Sequence, residues 1–115
     1  MTQQYNLTEE EVDRHVVYGL AGVYLLLKFN TELGRYDVQY VGRSDSNLNV
    51  RLKQHCSEEY DAFRFEYAFS AEEAYRKECS YYHFFGGNQV LDNKYHPDAP
   101  KGLAEKVVCP YCIEQ

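Results

Sequence analysis

Residues 21–55, AGVYLLLKFNTELGRYDVQYVGRSDSNLNVRLKQH, decide how the whole chain is read. Two apolar runs lie inside this stretch. One opens with Gly22-Val23-Tyr24 and the other closes with Tyr40-Val41-Gly42. The first run, 22–29, is rich in β-branched and aromatic residues and is bounded by Gly and Asn, the pattern of a strand. The second, 36–42, alternates Tyr36, Val38 and Tyr40 against Asp37, Gln39 and Val41, the period of a half-buried strand. Asn30-Thr31-Glu32-Leu33-Gly34 joins them, so the pair is expected to fold as an antiparallel hairpin. Strand parity puts Tyr24 on one face with Leu26, and Tyr40 on one face with Val38. Register decides whether the two tyrosines share a face. After a polar loop, with Ser46 or Asn47 as the cap, Leu48, Arg51, Leu52 and His55 follow the i, i+3, i+4, i+7 stripe of a helix. The leucines bury that stripe, and Arg51 and His55 lie one turn apart on its edge.

Working outward, Thr8 and Glu11 form a capping-box pattern that predicts a packing helix over 8–17. Val12, Val16 and Tyr18 are its expected inward positions, and Gly19 its end. Downstream, 63–68 alternates Phe63, Phe65 and Tyr67 with Arg64, Glu66 and Ala68, a third strand. Ser70 and Glu73 repeat the capping pattern and open a long helix over 71–85. Its expected inward stripe is Ala71, Tyr75, Glu78, Tyr82 and Phe85. A carboxylate in an apolar line is costly unless paired or metal-bound, so Glu78 is either a structural ion pair or a functional group. Gly86-Gly87-Asn88 breaks this helix, and a short helix is expected over 103–108. His15 and His83 read as ordinary helix positions, and His96-Pro97 as a loop former. The expected architecture is α+β, a small three-stranded antiparallel sheet flanked by helices. The expected organisation is a helical extension over 1–20, a central domain over 21–95 and an extension over 96–115.

At 115 residues the chain has room for one compact domain, and 44% hydrophobic with 16% aromatic residues is the composition of a folded one. Net charge is −6, from 18 acidic and 12 basic residues. Phosphate neutralisation supplies most non-specific affinity for nucleic acid, so this balance argues against tight DNA binding by the domain alone. A local basic cleft around Lys28, Arg43, Arg51 and Lys53 is compatible with it. No run of eighteen apolar residues occurs. Met1-Thr2-Gln3-Gln4 lacks the basic-then-apolar pattern of a signal peptide. Reduced cysteines and a cytoplasmic location, with no membrane partner, are the expectation.

The order of signals over 21–93 resembles that of the GIY-YIG nuclease domain. A strand with Gly-x-Tyr precedes a strand with Tyr-x-Gly. A helix with Arg and His four apart follows, then a third strand, a helix-borne Glu and a downstream Asn. Isoleucine is valine in both tripeptides here, and the interval from Tyr40 to Arg51 is one residue longer than in some members. The resemblance implies metal-dependent endonuclease activity on DNA. It puts the family's motif tyrosines on Tyr24 and Tyr40, its helix arginine on Arg51 and its following His on His55. Its metal-binding glutamate falls on Glu78 and its asparagine on Asn93, with Asn88 a rival. Those residue types suit the chemistry. Glu78 would hold one Mg²⁺ or Mn²⁺ with waters completing the shell. Arg51 has the fork that matches phosphate oxygens, and positive charge there favours the anionic transition state. Tyr24, Tyr40 or His55 would take the proton of the attacking water, and nothing in the sequence selects among them.

Cys109-Pro110-Tyr111-Cys112 is half of a structural zinc pattern, for which Cys56, Cys79, His83 or His96 would have to supply the other ligands. The redox reading of such a pair needs a following helix, and only three residues follow. DNA, including branched or nicked forms, is the expected partner, with a homodimer or a partner protein supplying specificity. Two other readings stand beside the nuclease: a non-cleaving nucleic-acid-processing accessory module, favoured by the acidic balance, and a zinc-stabilised interaction module.

Overall fold

The computed structural model describes residues 1, 3–102, 109 and 111. In chain order the elements are β1 (Tyr5–Asn6), α1 (Glu9–His15), β2 (Gly22–Asn30), β3 (Arg35–Ser44), α2 (Leu48–Gln54), β4 (Ala62–Tyr67) and α3 (Ala71–Phe84), then a 3-10 turn at Gly87–Gln89. The fold is α+β, with an antiparallel sheet of four strands in the order β1-β4-β2-β3. The expected sheet had three. The extra strand, β1, is two residues long and pairs Tyr5 with Phe63 and Asn6 with Ala62. A pair that short carries no readable alternation, and it forms because β4 offers a free edge. The expected helix over 103–108 and Cys112 lie outside the described residues. Among those described, no helix is long and apolar enough to cross a membrane.

Strand β2 is central, and Gly22 to Leu27 are all buried. Its continuous apolar run reflects cover on both faces. Tyr24, Leu26 and Phe63 pack under Val12 and Val16 of the α1 segment and Leu48 and Leu52 of α2. Val23, Leu25, Leu27, Val41 and Ala62 pack on the other face under Tyr82 of α3 and Leu91. The caps are those expected: Thr8 accepts from Glu11 N, Asn47 from Val50 N and Ser70 from Glu73 N. Helix α1 ends at His15, earlier than Gly19, and Tyr18 is 69% exposed instead of inward. The buried line of α3 is Ala74, Tyr75, Glu78, Cys79 and Tyr82; Ala71 and Phe85 lie at its margin. Within the first twenty residues, β1 supplies an edge strand and α1 one helix of the cover.

The hairpin turn follows from its residues. Asn30 Oδ1 accepts from Glu32 N and Leu33 N, and Gly34 takes a φ of +64° that favours glycine. Further along, the ladder departs from simple parity. Leu26 pairs with Tyr40 but Leu27 pairs with Val38, leaving Gln39 as a one-residue bulge. Tyr40 therefore packs on Tyr24's side of the sheet while Val38 packs on the α3 side. Uniform alternation had placed Tyr40 with Val38, and the bulge is the reason it fails.

Both motif glycines sit where a side chain does not fit. A Cβ on Gly22 would meet Glu66 O at 2.5 Å and Leu48 Cδ2 at 2.8 Å, so its bareness lets α2 approach the sheet. A Cβ on Gly42 would lie 2.4 Å from Cζ and Oη of Tyr24, whose ring crosses over it. Gly42→Ala must push aside a fully buried, hydrogen-bonded phenol. We expect it to lower stability by about 1–3 kcal/mol in urea denaturation. An unchanged midpoint would mean the ring relocates freely.

Candidate active site

The hairpin and α2 bring three aromatic side chains together. Tyr24 Oη and His55 Nε2 are 2.7 Å apart, and His55 Nδ1 is 2.9 Å from Glu58 Oε1. A carboxylate accepts from Nδ1–H, which leaves Nε2 as the acceptor for the Tyr24 hydroxyl. The Tyr40 ring lies 6.4 Å from that of Tyr24 and 5.4 Å from His55, centroid to centroid. Tyr24 is 0% exposed and His55 6%, whereas Tyr40 is half-buried. Burial, followed by the neighbouring Tyr40, pushes the Tyr24 hydroxyl well above the ordinary phenol range; Arg51 opposes the shift. Burial also raises Tyr40, again against Arg51. Both phenols are therefore neutral donors near neutral pH.

Arg51 is exposed on α2, with Nη1 3.0 Å from Gln54 Oε1. It lines a surface groove of about 360 Å³ with Tyr18, Ser44, Asn47 and Val50. Of the four cations expected to form a basic cleft, the others are engaged: Lys28 with Glu59, Lys53 with Asp13, and Arg43 with Asp45 and Glu78. Arg51 makes no ion pair among the described residues.

Glu78 is 7% exposed. Its Oε1 accepts from Arg43 Nη1 at 2.5 Å, and Arg43 Nε donates to Asp45 Oδ1 at 2.7 Å. Burial pushes its carboxyl up to about 7, with Arg43 pulling the other way. It lies close enough to Tyr24 and Tyr40 for its charge to raise both. Its other oxygen, Oε2, takes no hydrogen bond from the described residues. One carboxylate oxygen with waters around it is a donor set that suits Mg²⁺ or Mn²⁺.

Asn93 is 8% exposed and grips the backbone of β3. Val41 N donates to its Oδ1 at 3.0 Å, and its Nδ2 donates to Val41 O at 2.7 Å. Asp92 N donates to Gln39 O at 2.6 Å, next to the bulge. Asn93 thus holds the Tyr40-Val41-Gly42 strand in place instead of facing a ligand. Its rival Asn88 is exposed and donates its backbone N–H to the Tyr82 hydroxyl.

The structure therefore brings Tyr24, Tyr40, Arg51, His55 and Glu78 to one region and sets Asn93 behind it. Sequence reasoning missed Glu58 and Asp45, and expected Arg43 in a basic cleft instead of as the partner of Glu78. Glu58 stands three residues after His55, an interval a helical turn would have flagged, but Glu58-Glu59 reads as solvated charge. No family model, curated protein or solved structure matches this chain.

Two outcomes follow from this geometry. Asn93→Ala leaves a buried N–H and C=O on Val41 without partners, and we expect a loss of about 1–3 kcal/mol by urea denaturation. For Glu78 in the metal-free protein, the folded carboxyl titrates near 7 and the unfolded one at 4.5, so between those values only the folded state holds the proton. Stability contributed by this group falls as pH rises through that window, by up to about 3 kcal/mol, and is flat above it. Glu78→Gln should remove this decline, widening its stability lead over wild type between pH 4.5 and 8; parallel profiles would contradict the desolvation.

Proposed function

We propose that the chain is a metal-dependent endonuclease of GIY-YIG type, hydrolysing phosphodiester bonds in DNA. The observation that carries this reading is the convergence of both motif tyrosines, the helix arginine and histidine, and a buried helix glutamate from four separate elements. Each group has a distinct task. Tyr24, His55 and Glu58 form a hydrogen-bonded chain that runs from the buried Tyr24 and His55 out to the exposed Glu58, and act as positioning residues beside the Tyr40 ring. Tyr40 is the half-buried hydroxyl of the pair, and burial, opposed by Arg51, keeps it a neutral donor. It takes the proton of the attacking water only as the phenolate, the form that a neighbouring cation favours. The water oxygen bonds to phosphorus, and the bond from phosphorus to the leaving ester oxygen breaks. Arg51, on the rim of its groove, meets the charge that develops on the phosphate oxygens. Glu78 Oε2 is the group that would hold Mg²⁺ or Mn²⁺, whose chemistry there is that of a Lewis acid on the phosphate.

A non-cleaving accessory module that binds branched or nicked DNA is the second reading. It is favoured by the internal neutralisation of Lys28, Arg43 and Lys53, which leaves little free positive charge for a long duplex.

The deciding experiment is cleavage of plasmid and branched DNA in Mn²⁺. Glu78→Ala and Arg51→Ala should each lower the rate by roughly 10²-fold or more. Tyr40→Phe should lose activity to a similar degree, and Tyr24→Phe should lose less while costing stability. Equal cleavage by wild type, Glu78→Ala and Arg51→Ala would sink the nuclease assignment. Salt-dependent binding to branched DNA without products would select the accessory module.

A further inference from the structure

Among the described residues, one group of three metal-ligating side chains meets, and it includes neither Tyr40 nor Arg51. Cys79, His96 and Cys109 each present a ligand atom, all within 4.8 Å of one another. They come from distant parts of the chain: the buried line of α3, the segment following the Asn93 clamp, and the C-terminal region. Cys79 is 0% and Cys109 2% exposed, in a small apolar cluster with Tyr75 and with Ala99 packed against it. His96 Nδ1 is 2.7 Å from Pro97 O. A carbonyl can only accept, so Nδ1 carries the proton and Nε2 keeps the lone pair, the arrangement by which a backbone carbonyl orients a metal-binding imidazole. His83 Nε2 lies 3.2 Å from His96 Nε2. Two imidazole nitrogens on one tetrahedral zinc stand about 3.3 Å apart, given Zn–N bonds of about 2.0–2.1 Å.

We propose that Cys79, His96 and Cys109 bind a zinc ion, with His83 as the fourth ligand. Two sulfurs and two imidazole nitrogens, all supplied by protein and shielded by apolar neighbours, are the donor set of a closed structural site. The expectation from sequence paired Cys109 with Cys112, which lies outside the described residues, and drew the other ligands from Cys56, Cys79, His83 or His96; of these, Cys79 and His96 meet Cys109. Binding converts two thiols to thiolates, and their two protons leave to solvent. The ion ties α3 to the segment that follows Asn93 and to the C-terminal region. It therefore braces the clamp on β3 from behind and fixes the turn of α3 that carries Glu78, the residue before Cys79. None of the readouts of this site uses DNA cleavage, so its failure and that of the nuclease reading are distinguishable.

The test uses the full chain, reduced and purified without chelator. Wild type should retain one equivalent of zinc after desalting. Co²⁺ in its place should give the thiolate-to-metal charge-transfer band and the strong visible bands of tetrahedral coordination, with two protons released per ion. Cys79→Ser, Cys109→Ser and His96→Ala should each abolish the charge-transfer band or weaken affinity by about 10–100-fold or more, and His83→Ala should weaken it at least about tenfold. Cys56→Ser, which alters a thiol outside the group, should leave the spectrum unchanged and serves as the control for folding. Chelation should lower the melting temperature of wild type and of Cys56→Ser. A reduced wild type that retains no zinc and gives no cobalt band would overturn the proposal, as would a band lost in Cys56→Ser but kept in Cys79→Ser. A Cys79–Cys109 disulfide forming in preference to metal would overturn it too. Unchanged affinity in His83→Ala would remove His83 from the ligand set.

Discussion

The bulge at Gln39 is the constraint on which the rest of this site depends. With uniform pairing, Tyr40 would point with Val38 toward α3, and Tyr24 would stand alone under α2. One extra residue in β3 turns Tyr40 onto Tyr24's side, where both rings meet His55. A bulge in an edge strand leaves backbone groups without ladder partners, and here the chain provides them locally. Asp92 N takes the Gln39 carbonyl, and Asn93 imitates a neighbouring strand by bonding both backbone polar groups of Val41. The asparagine is thus coupled to the tyrosine through two residues of backbone, without touching it.

Close approach is the second structural theme. Gly42 gives Tyr24 a floor flat enough for its ring to cross β3, and Gly22 lets Leu48 seat α2 against the sheet. Those two clearances set the distance between a strand tyrosine and a helix histidine at one hydrogen bond. The glycines of the two tripeptides therefore act through space they leave empty, and the tyrosines occupy it.

Electrostatically, the molecule keeps most of its positive charge at home. Arg43 is bracketed by Asp45 and Glu78, and Lys53 by Asp13, so an acidic chain of net charge −6 exposes Arg51 as its one unpaired cation among the four near the site. Glu78 sits between two influences of opposite sign, burial and Arg43, and burial prevails. A carboxyl held near neutrality is one whose charge state a divalent cation or a change of pH can switch.

Much of this protein was written locally. Hairpin, capped helices, the turn at Asn30 to Gly34 and the stripe of Leu48, Arg51, Leu52 and His55 each follow from spacing over fewer than eight residues. That is the range over which periodicity and capping chemistry act. The α+β class followed from them. What the tertiary structure decided lies beyond that range. A two-residue edge strand has no periodicity to read, and it exists only because β4 presents an unpaired edge. The bulge reverses the face of Tyr40 without leaving a mark in the alternation of Tyr36, Val38 and Tyr40. Arg43 reached Glu78 across 35 residues and brought Asp45 with it, a meeting no interval in the chain encodes, while Glu58 met His55 just past the end of α2. Cys79, His96 and Cys109 meet only because helix α3 and the segment after Asn93 fold past one another. Local energies chose the elements, and the packing of both sheet faces chose which side chains met.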